Sequence, residues 1–308
     1  MRYDVLAALR AAEGQLSGQR LAAALGISRV AVWKQVRELR ALGYVIASSP
    51  KGYRLDASPD LLLPTEFPGW EPRVHHGLTV DSTMRQARLL ARRGAEEGTL
   101  VIAESQISGR GRLDRSWRSP EGGIYLTLVT RPGVPPAYAP RVSLLVATVV
   151  SETIERLHGL PARVKWPNDV LIADMKVCGI LAEMEAECDL VRFVNVGMGL
   201  NANSSIAELQ PGAASLRELL GTPVDRVRLV REIVTETLAR LPRLSGVSIL
   251  DDWRARTLTL GREVTIVGAR DKVTGVAIDV TMMGALLVRS ADGRVHEVVA
   301  GDCVHARH

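Results

Sequence analysis

A chain of 308 residues, 46% of them hydrophobic, can fill two or three domain cores, and no stretch reaches the about 18 uninterrupted apolar residues of a membrane-spanning helix. Its three cysteines (Cys178, Cys188, Cys303) are odd in number and lack paired metal-ligand spacing, so reduced thiols in a cytoplasmic protein are expected rather than a disulfide framework or a zinc site. The net charge of +5 permits an anionic partner, and its placement is informative: residues 28–54 hold six basic groups (Arg29, Lys34, Arg37, Arg40, Lys51, Arg54) against one acid, Glu38.

The N-terminal stretch MRYDVLAALRAAEG has no long apolar core and carries Asp4 and Glu13, which predicts a first helix rather than a secretory signal. Helical spacing covers residues 5–13 through Val5, Leu6 and Leu9, and residues 19–25 through Leu21, Ala22 and Leu25. Gly26 stands where a helix C-cap favours glycine, and Ser28 is suited to N-cap the next helix. That helix puts Val32, Val36 and Leu39 on one face and leaves Arg29, Lys34 and Arg37 elsewhere. Two short strands around the SPKG turn follow. Three helices and a basic hairpin are the plan of a winged helix-turn-helix, which here predicts a DNA-binding domain with Ser28, Arg29, Trp33, Lys34 and Lys51 at its contact face. A small helical interaction domain with a merely solvated basic face is the bland alternative.

Residues 56–68, with three prolines and no clear period, are expected to be a linker. Beyond them helices near 83–93, 141–158 and 226–256 alternate with strands near 99–104, 124–130, 162–166, 170–172, 177–185 and 191–198. From Gly261 four short alternating runs split by glycine and aspartate predict a small β-barrel or sandwich. The fold class expected is α+β, with domains at 1–60, 61–258 and 259–308.

No phosphate loop of the GxxxxGK[ST] type occurs, and GMGLN at 197–201 and GRG at 109–111 are incomplete as dinucleotide fingerprints. Two segments remain. GRGRLDRSWRSP at 109–120 gathers Arg110, Arg112, Arg115 and Arg118 with one tryptophan. KWPNDVLIADMKVCGILAE at 165–183 sets Asn168 and Asp169 at a turn and Lys176 at the start of an apolar strand, where a lone ammonium is costly unless an anion meets it. An exposed polar hairpin tip is the plainer reading of the second segment.

Taken together, LGISRVAVWKQVRELRALGY, PKGYRL, DST at 81–83, GRGRLDRSWRSP, KWPND, KVCGIL at 176–181 and GMGLN-A-N at 197–203 resemble, nearly end to end, the bifunctional biotin protein ligases, also called biotin operon repressors. The resemblance implies a winged helix-turn-helix, a class II synthetase-like α/β ligase domain and an SH3-like C-terminal barrel. It implies that biotin and ATP, with Mg²⁺, form biotinyl-5′-adenylate, and that biotin then passes to a lysine of the biotin carboxyl carrier protein of acetyl-CoA carboxylase. Operator DNA and a homodimer formed with the adenylate are the other partners implied, and no membrane.

Carried over on the same resemblance, Ser82, Thr83 and Gln106 meet the biotin head group, with Gly179 beside it. Arg110, Arg112 and Lys176 meet the carboxylate and phosphate, Lys176 foremost. Trp117 stacks on adenine, Asn168 and Asn201 contact the nucleotide, and Asp169 helps hold Mg²⁺ or position the incoming lysine. The chemistry suits these residue types, because a carboxylate becomes a good acyl donor only when joined to a stable leaving group amid clustered positive charge. Two positions depart from the family pattern: Met84 stands where asparagine usually follows DST, and Asp114 sits within the arginine-rich loop. Trp117 and Trp166 have core aromatics as their plain alternative, and Cys178 reads as a small core residue. The rival functions are a non-catalytic biotin-sensing transcription factor and a lipoate-type protein ligase.

Overall fold

The computed structural model describes residues 2–113, 115–268 and 272–306, and the chain divides into two compact units, Met1–Pro68 and Gly69–His308.

In the first unit α1 (Arg2–Ala11), α2 (Gly18–Leu25) and α3 (Arg29–Ala41) precede a hairpin of β1 (Val45–Ser49) and β2 (Gly52–Ala57). Both expected caps form. Gly26 closes α2 at φ 63°, where a side chain would be strained, and Ser28 Oγ accepts from Ala31 N at 3.1 Å to start α3. The periodic apolar positions Val5, Leu6, Leu9, Leu21, Val32, Val36 and Leu39 make the core. Reciprocal backbone bonds between Leu16 and Tyr53 (2.9 and 2.8 Å) tie the hairpin to the turn before α2. The stretch expected as a linker is instead partly packed. Leu63 joins this core, and Glu66 accepts from Tyr44 and, through both oxygens, from Arg10. Prolines that break periodicity there also set a short turn of 3₁₀ helix at Pro64–Glu66.

The second unit is built, among the described residues, on a seven-stranded sheet in the order β3-β4-β5-β9-β8-β7-β6. Its strands are β3 (Val74–Val80), β4 (Leu100–Gln106), β5 (Ile124–Thr130), β6 (Arg163–Lys165), β7 (Asp169–Ile172), β8 (Met175–Glu187) and β9 (Leu190–Leu200). Only β3 and β4 run parallel; the other neighbours are antiparallel. Helix α4 (Thr83–Arg92) packs on β4, β5 and β9. Helix α5 (Arg141–His158) packs on β6 to β8, α7 (Arg226–Arg240) and α8 (Val247–Arg256); α6 (Leu216–Leu220) is a single turn and a half. The expected α5 is the heart of this core, with twelve of its residues buried.

The C-terminal segment forms a five-stranded antiparallel sheet in the order β13-β12-β11-β10-β14. The strands are β10 (Glu263–Val267), β11 (Lys272–Val280), β12 (Leu286–Arg289), β13 (Val295–Val298) and β14 (Asp302–His305). It is tied to the rest of the unit by Trp166, whose indole N–H donates to Gly284 O, and by the buried Arg141 of α5, which donates to Met282 O as well as to the carbonyls of Ser245 and Gly246 before α8. Trp166 is thus a core aromatic, and Cys178 is fully buried, with burial pushing its thiol pKa up. Among the described residues no helix is long and apolar enough to cross a membrane.

Candidate active site

A cleft of about 460 Å³ opens on the central sheet. Its walls come from the start of α4, the end of β4, the loop between β4 and β5, the β6–β7 turn, and the middles of β8 and β9. One end is polar and already ordered. Gln106 Oε1 accepts from Thr83 N and Oγ1 at 2.9 and 3.1 Å, Thr127 Oγ1 donates to Thr83 Oγ1 at 3.0 Å, and Gln106 Nε2 donates to Ser119 Oγ at 3.0 Å. Beside this chain Ser82 lines the cleft, and its buried Oγ has no hydrogen-bond partner in the protein. Buried polar groups are nearly always paired, and this one borders the cleft, which makes Ser82 a candidate ligand contact. Met84, Leu126, Ile180, Leu181 and Met198 make the apolar sides.

The other end is basic, and each cation there has a partner. Lys176 Nζ lies 2.7 Å from Asp169 Oδ1, Arg110 Nη1 lies 3.2 Å from Glu183 Oε1, and Arg115 pairs with Asp302. Arg112 Nη1 donates to Asn168 Oδ1 at 3.4 Å. Burial pulls the Arg112 pKa below its ordinary value, against the attraction of Asp302 and Asp169. A guanidinium stays charged even so, which makes Arg112 a poorly solvated cation that gains from an anion. The loop bearing these arginines folds back on itself, with Gly111 N donating to Arg115 O at 2.7 Å and Trp117 N to Gly109 O at 2.8 Å.

Between the two ends lies an aromatic platform. Gly179 and Gly199 are directly opposed in the β8–β9 register, and the Trp117 indole rests over both. An ideal Cβ at Gly199 would stand 2.5 Å from the indole nitrogen, and one at Gly179 2.8 Å from the ring, so only glycine lets the ring lie flat on the sheet. Lys176 Nζ is 5.2 Å from the ring centroid.

Of the residues singled out in the sequence, Ser82, Thr83, Gln106, Arg110, Arg112, Trp117, Asn168, Asp169, Lys176 and Gly179 all line this cleft. Asn201 does not. It is buried behind the platform, its amide nitrogen donating to Ala214 O at 3.2 Å, and it borders a small adjoining pocket. Asp114 lies outside the described residues. Thr127, Gly199, Gln210 and Asp302 line the cleft as well; Gly199 belongs to the GMGLN motif, whereas Asp302 reaches the cleft from β14 with no local signal at all. In the first unit Arg29, Trp33 and Lys34 are exposed on α3 and Lys51 on the hairpin turn, whereas Arg54 is held by Asp56 at 2.6 Å.

A cleft that is polar at one end and cationic at the other, in a chain that also carries a winged helix, has the make-up of a carboxylate-activating ligase with a DNA-binding module. Residues 77–201 match the Biotin/lipoate A/B protein ligase family, residues 2–54 an HTH domain, and residues 259–306 the biotin protein ligase C-terminal domain. The chain is 37% identical over 297 residues to the bifunctional ligase/repressor BirA of Bacillus subtilis, covering 90% of each chain. It is 36% identical to the biotin–[acetyl-CoA-carboxylase] ligase of Mycobacterium tuberculosis, over 72% of this chain and 85% of that one. The biotin protein ligase of Aquifex aeolicus, solved with biotin and ATP, superposes with a TM-score of 0.63 at 28% identity, over 76% of this chain and 99% of that one. The chain belongs to the bifunctional biotin ligase/repressor family.

Proposed function

We propose that this protein condenses biotin with ATP to biotinyl-5′-adenylate, transfers biotin to a lysine of the carboxyl carrier protein of acetyl-CoA carboxylase, and represses transcription from operator DNA. The observation that carries the reading is one continuous cleft joining the Ser82–Thr83–Gln106 end to the Arg110–Arg112–Lys176 end. A ureido head group offers donors and an acceptor to Ser82, Thr83 and Gln106, its alkyl chain follows Met84, Leu126 and Leu181, and its carboxylate arrives among the cations.

In the first step a carboxylate oxygen attacks the α-phosphorus of ATP and pyrophosphate leaves with the bonding pair. Both reactants are anions, so their approach needs fixed positive charge. Lys176 supplies a compact one, and Arg112 a planar donor pair. Adenine stacks on Trp117, whose orientation the two opposed glycines fix. In the second step the neutral amine of the acceptor lysine attacks the acyl carbon, AMP leaves with the C–O pair, and the amine proton passes to water or a carboxylate. Asp169, which pairs with Lys176, orients that amine in this reading. Asn201 acts on the nucleotide through the Lys176 and Ala214 backbone it holds. Mg²⁺, when bound, offsets charge on the triphosphate. Asp169 is the cleft carboxylate that would hold the ion.

The work divides along the chain: 1–60 for DNA, 61–258 for catalysis, and 259–308 for closing the cleft through Asp302. The adenylate orders the arginine loop, and the ordered form makes the cytoplasmic homodimer whose paired winged helices meet a two-fold operator. A lipoate-type ligase is disfavoured by the polar end, since a dithiolane leaves Ser82 Oγ unmatched. The test is pyrophosphate release from ATP with biotin, lipoate or neither. Release with biotin alone supports the reading; release with lipoate alone assigns the other acid, and silence with retained biotin binding assigns a sensor.

A further inference from the structure

The outward face of α3 carries more than charge. Arg29, Val30, Trp33, Lys34 and Arg37 lie within an arc of about 140°, opposite the buried Val32, Val36 and Leu39. Val30 is 75% exposed and Trp33 52% exposed, next to each other one turn apart. Arg37 braces the indole, its guanidinium carbon 5.0 Å from the Trp33 ring centroid, so the ring is held in place at the surface. Two large apolar side chains ringed by Arg29, Lys34 and Arg37 make a poor match for water. They also make a poor match for an apolar protein surface, which would leave those cations desolvated. The B-DNA major groove fits both features: phosphates on its rims for the cations, and thymine C5-methyl groups on its floor for the apolar pair. Neither Val30 nor the face of an indole can read the acceptor edge of guanine, which calls for Arg or Lys.

We propose that Val30 and Trp33 read thymine methyl groups in the major groove, so that this protein selects its operator by an apolar as well as an electrostatic code. The proposal rests on the DNA-binding reading and deepens it. Arg29, Lys34 and Lys51 supply affinity that falls with salt; Val30 and Trp33 supply sequence preference.

The full chain, with biotin and ATP, is used to select duplexes from a random library. Each thymine of the selected site is then replaced by deoxyuridine, which removes one methyl and nothing else. Loss of a buried methyl contact weakens binding roughly fourfold. The expected result is a fourfold or larger loss at one or two thymines per half-site, abolished in Val30→Ala or Trp33→Ala proteins whose melting temperatures match the parent. Salt-dependent binding indifferent to every uracil substitution overturns the methyl reading while leaving DNA binding intact. So does a uracil penalty that both variants retain. Loss of dimerisation in the variants at an unchanged uracil penalty assigns the patch to a second copy of the chain. Failure to bind any duplex overturns both readings.

Discussion

Replacing Ser82 with alanine removes a hydroxyl that the folded protein buries to 1% exposure and leaves without a partner. An N-cap serine commonly contributes about 1 kcal/mol through its side-chain bond to the helix. Ser82 N-caps α4 without making that bond, so its truncation forfeits nothing there. A buried, unsatisfied polar group costs about 1–3 kcal/mol, and the substitution relieves some of it. For a unit of this size, 1 kcal/mol moves the melting temperature by about 2–4 °C. The ligand-free Ser82→Ala protein should therefore melt a few degrees higher. With biotin the sign reverses. The hydroxyl gains its partner only in the complex, and losing a hydrogen bond of about 0.5–1.5 kcal/mol weakens biotin binding about 2- to 13-fold. Differential scanning fluorimetry with a biotin titration reads both quantities. A lower melting temperature with unchanged biotin affinity would make Ser82 a support of α4 rather than a ligand contact.

Gly199→Ala pushes a methyl into the Trp117 indole, which must retreat by about 1 Å to restore normal contact. Stacking worth about 1–3 kcal/mol is compromised, so KM for ATP should rise about 5- to 150-fold while KM for biotin stays within about twofold. Arg112→Gly should release adenylate into solution, seen as biotinylation of unrelated lysines, and more so than Arg110→Gly, because Arg112 is the more buried of the two and Arg110 lies with Glu183. Labelling confined to the carrier in both variants would remove the retention role. His305 is held down to about 4 by burial, with Lys165 and Arg262 adding repulsion, against an ordinary value of 6.5. A folded pKa below the unfolded one means that protonation favours the unfolded chain, so stability falls as pH drops from about 6.5 towards 4. His305→Gln should flatten that fall, checked by urea midpoints at pH 7 and pH 5; an equal fall in both proteins would clear His305 of the effect.

The first unit was legible because its helices bury one stripe each and announce their ends. Leu21, Val32, Val36 and Leu39 recur at helical spacing, and Gly26 and Ser28 mark the turn chemically. The same holds for α5 and for β5, whose residues are buried on both faces. The strand β3 was not legible. It is a sheet edge whose interior positions are His75, His76, Gly77, Leu78 and Thr79, so no alternation survives. It is held partly by a buried pairing of His76 with Glu104 (3.0 Å), itself bonded to Arg226 at 2.9 Å, and partners so far apart in the chain leave no pattern. The site divides likewise. Ser82, Trp117 and Lys176 stand in compact motifs, each on a loop or strand end that the sheet brings together. Asp302 lies 126 residues beyond Lys176 and enters the cleft only because β14 pairs with β10 and turns its first residue towards Arg115.

In the proposed mechanism one cleft first makes a tightly held acyl-adenylate and then surrenders it to a carrier lysine. A single-turnover experiment follows both halves. Enzyme in excess is mixed with biotin and ATP labelled at the α-phosphate, the protein-bound nucleotide is separated, and a carrier domain is added as a chase. The expected result is one equivalent of biotinyl-adenylate on the enzyme, its disappearance as AMP and biotinylated carrier form together, and neither event with Lys176→Ala at undiminished fold. Carrier biotinylation at a normal rate by Lys176→Ala, or biotin bound with no adenylate formed by the parent, would contradict it.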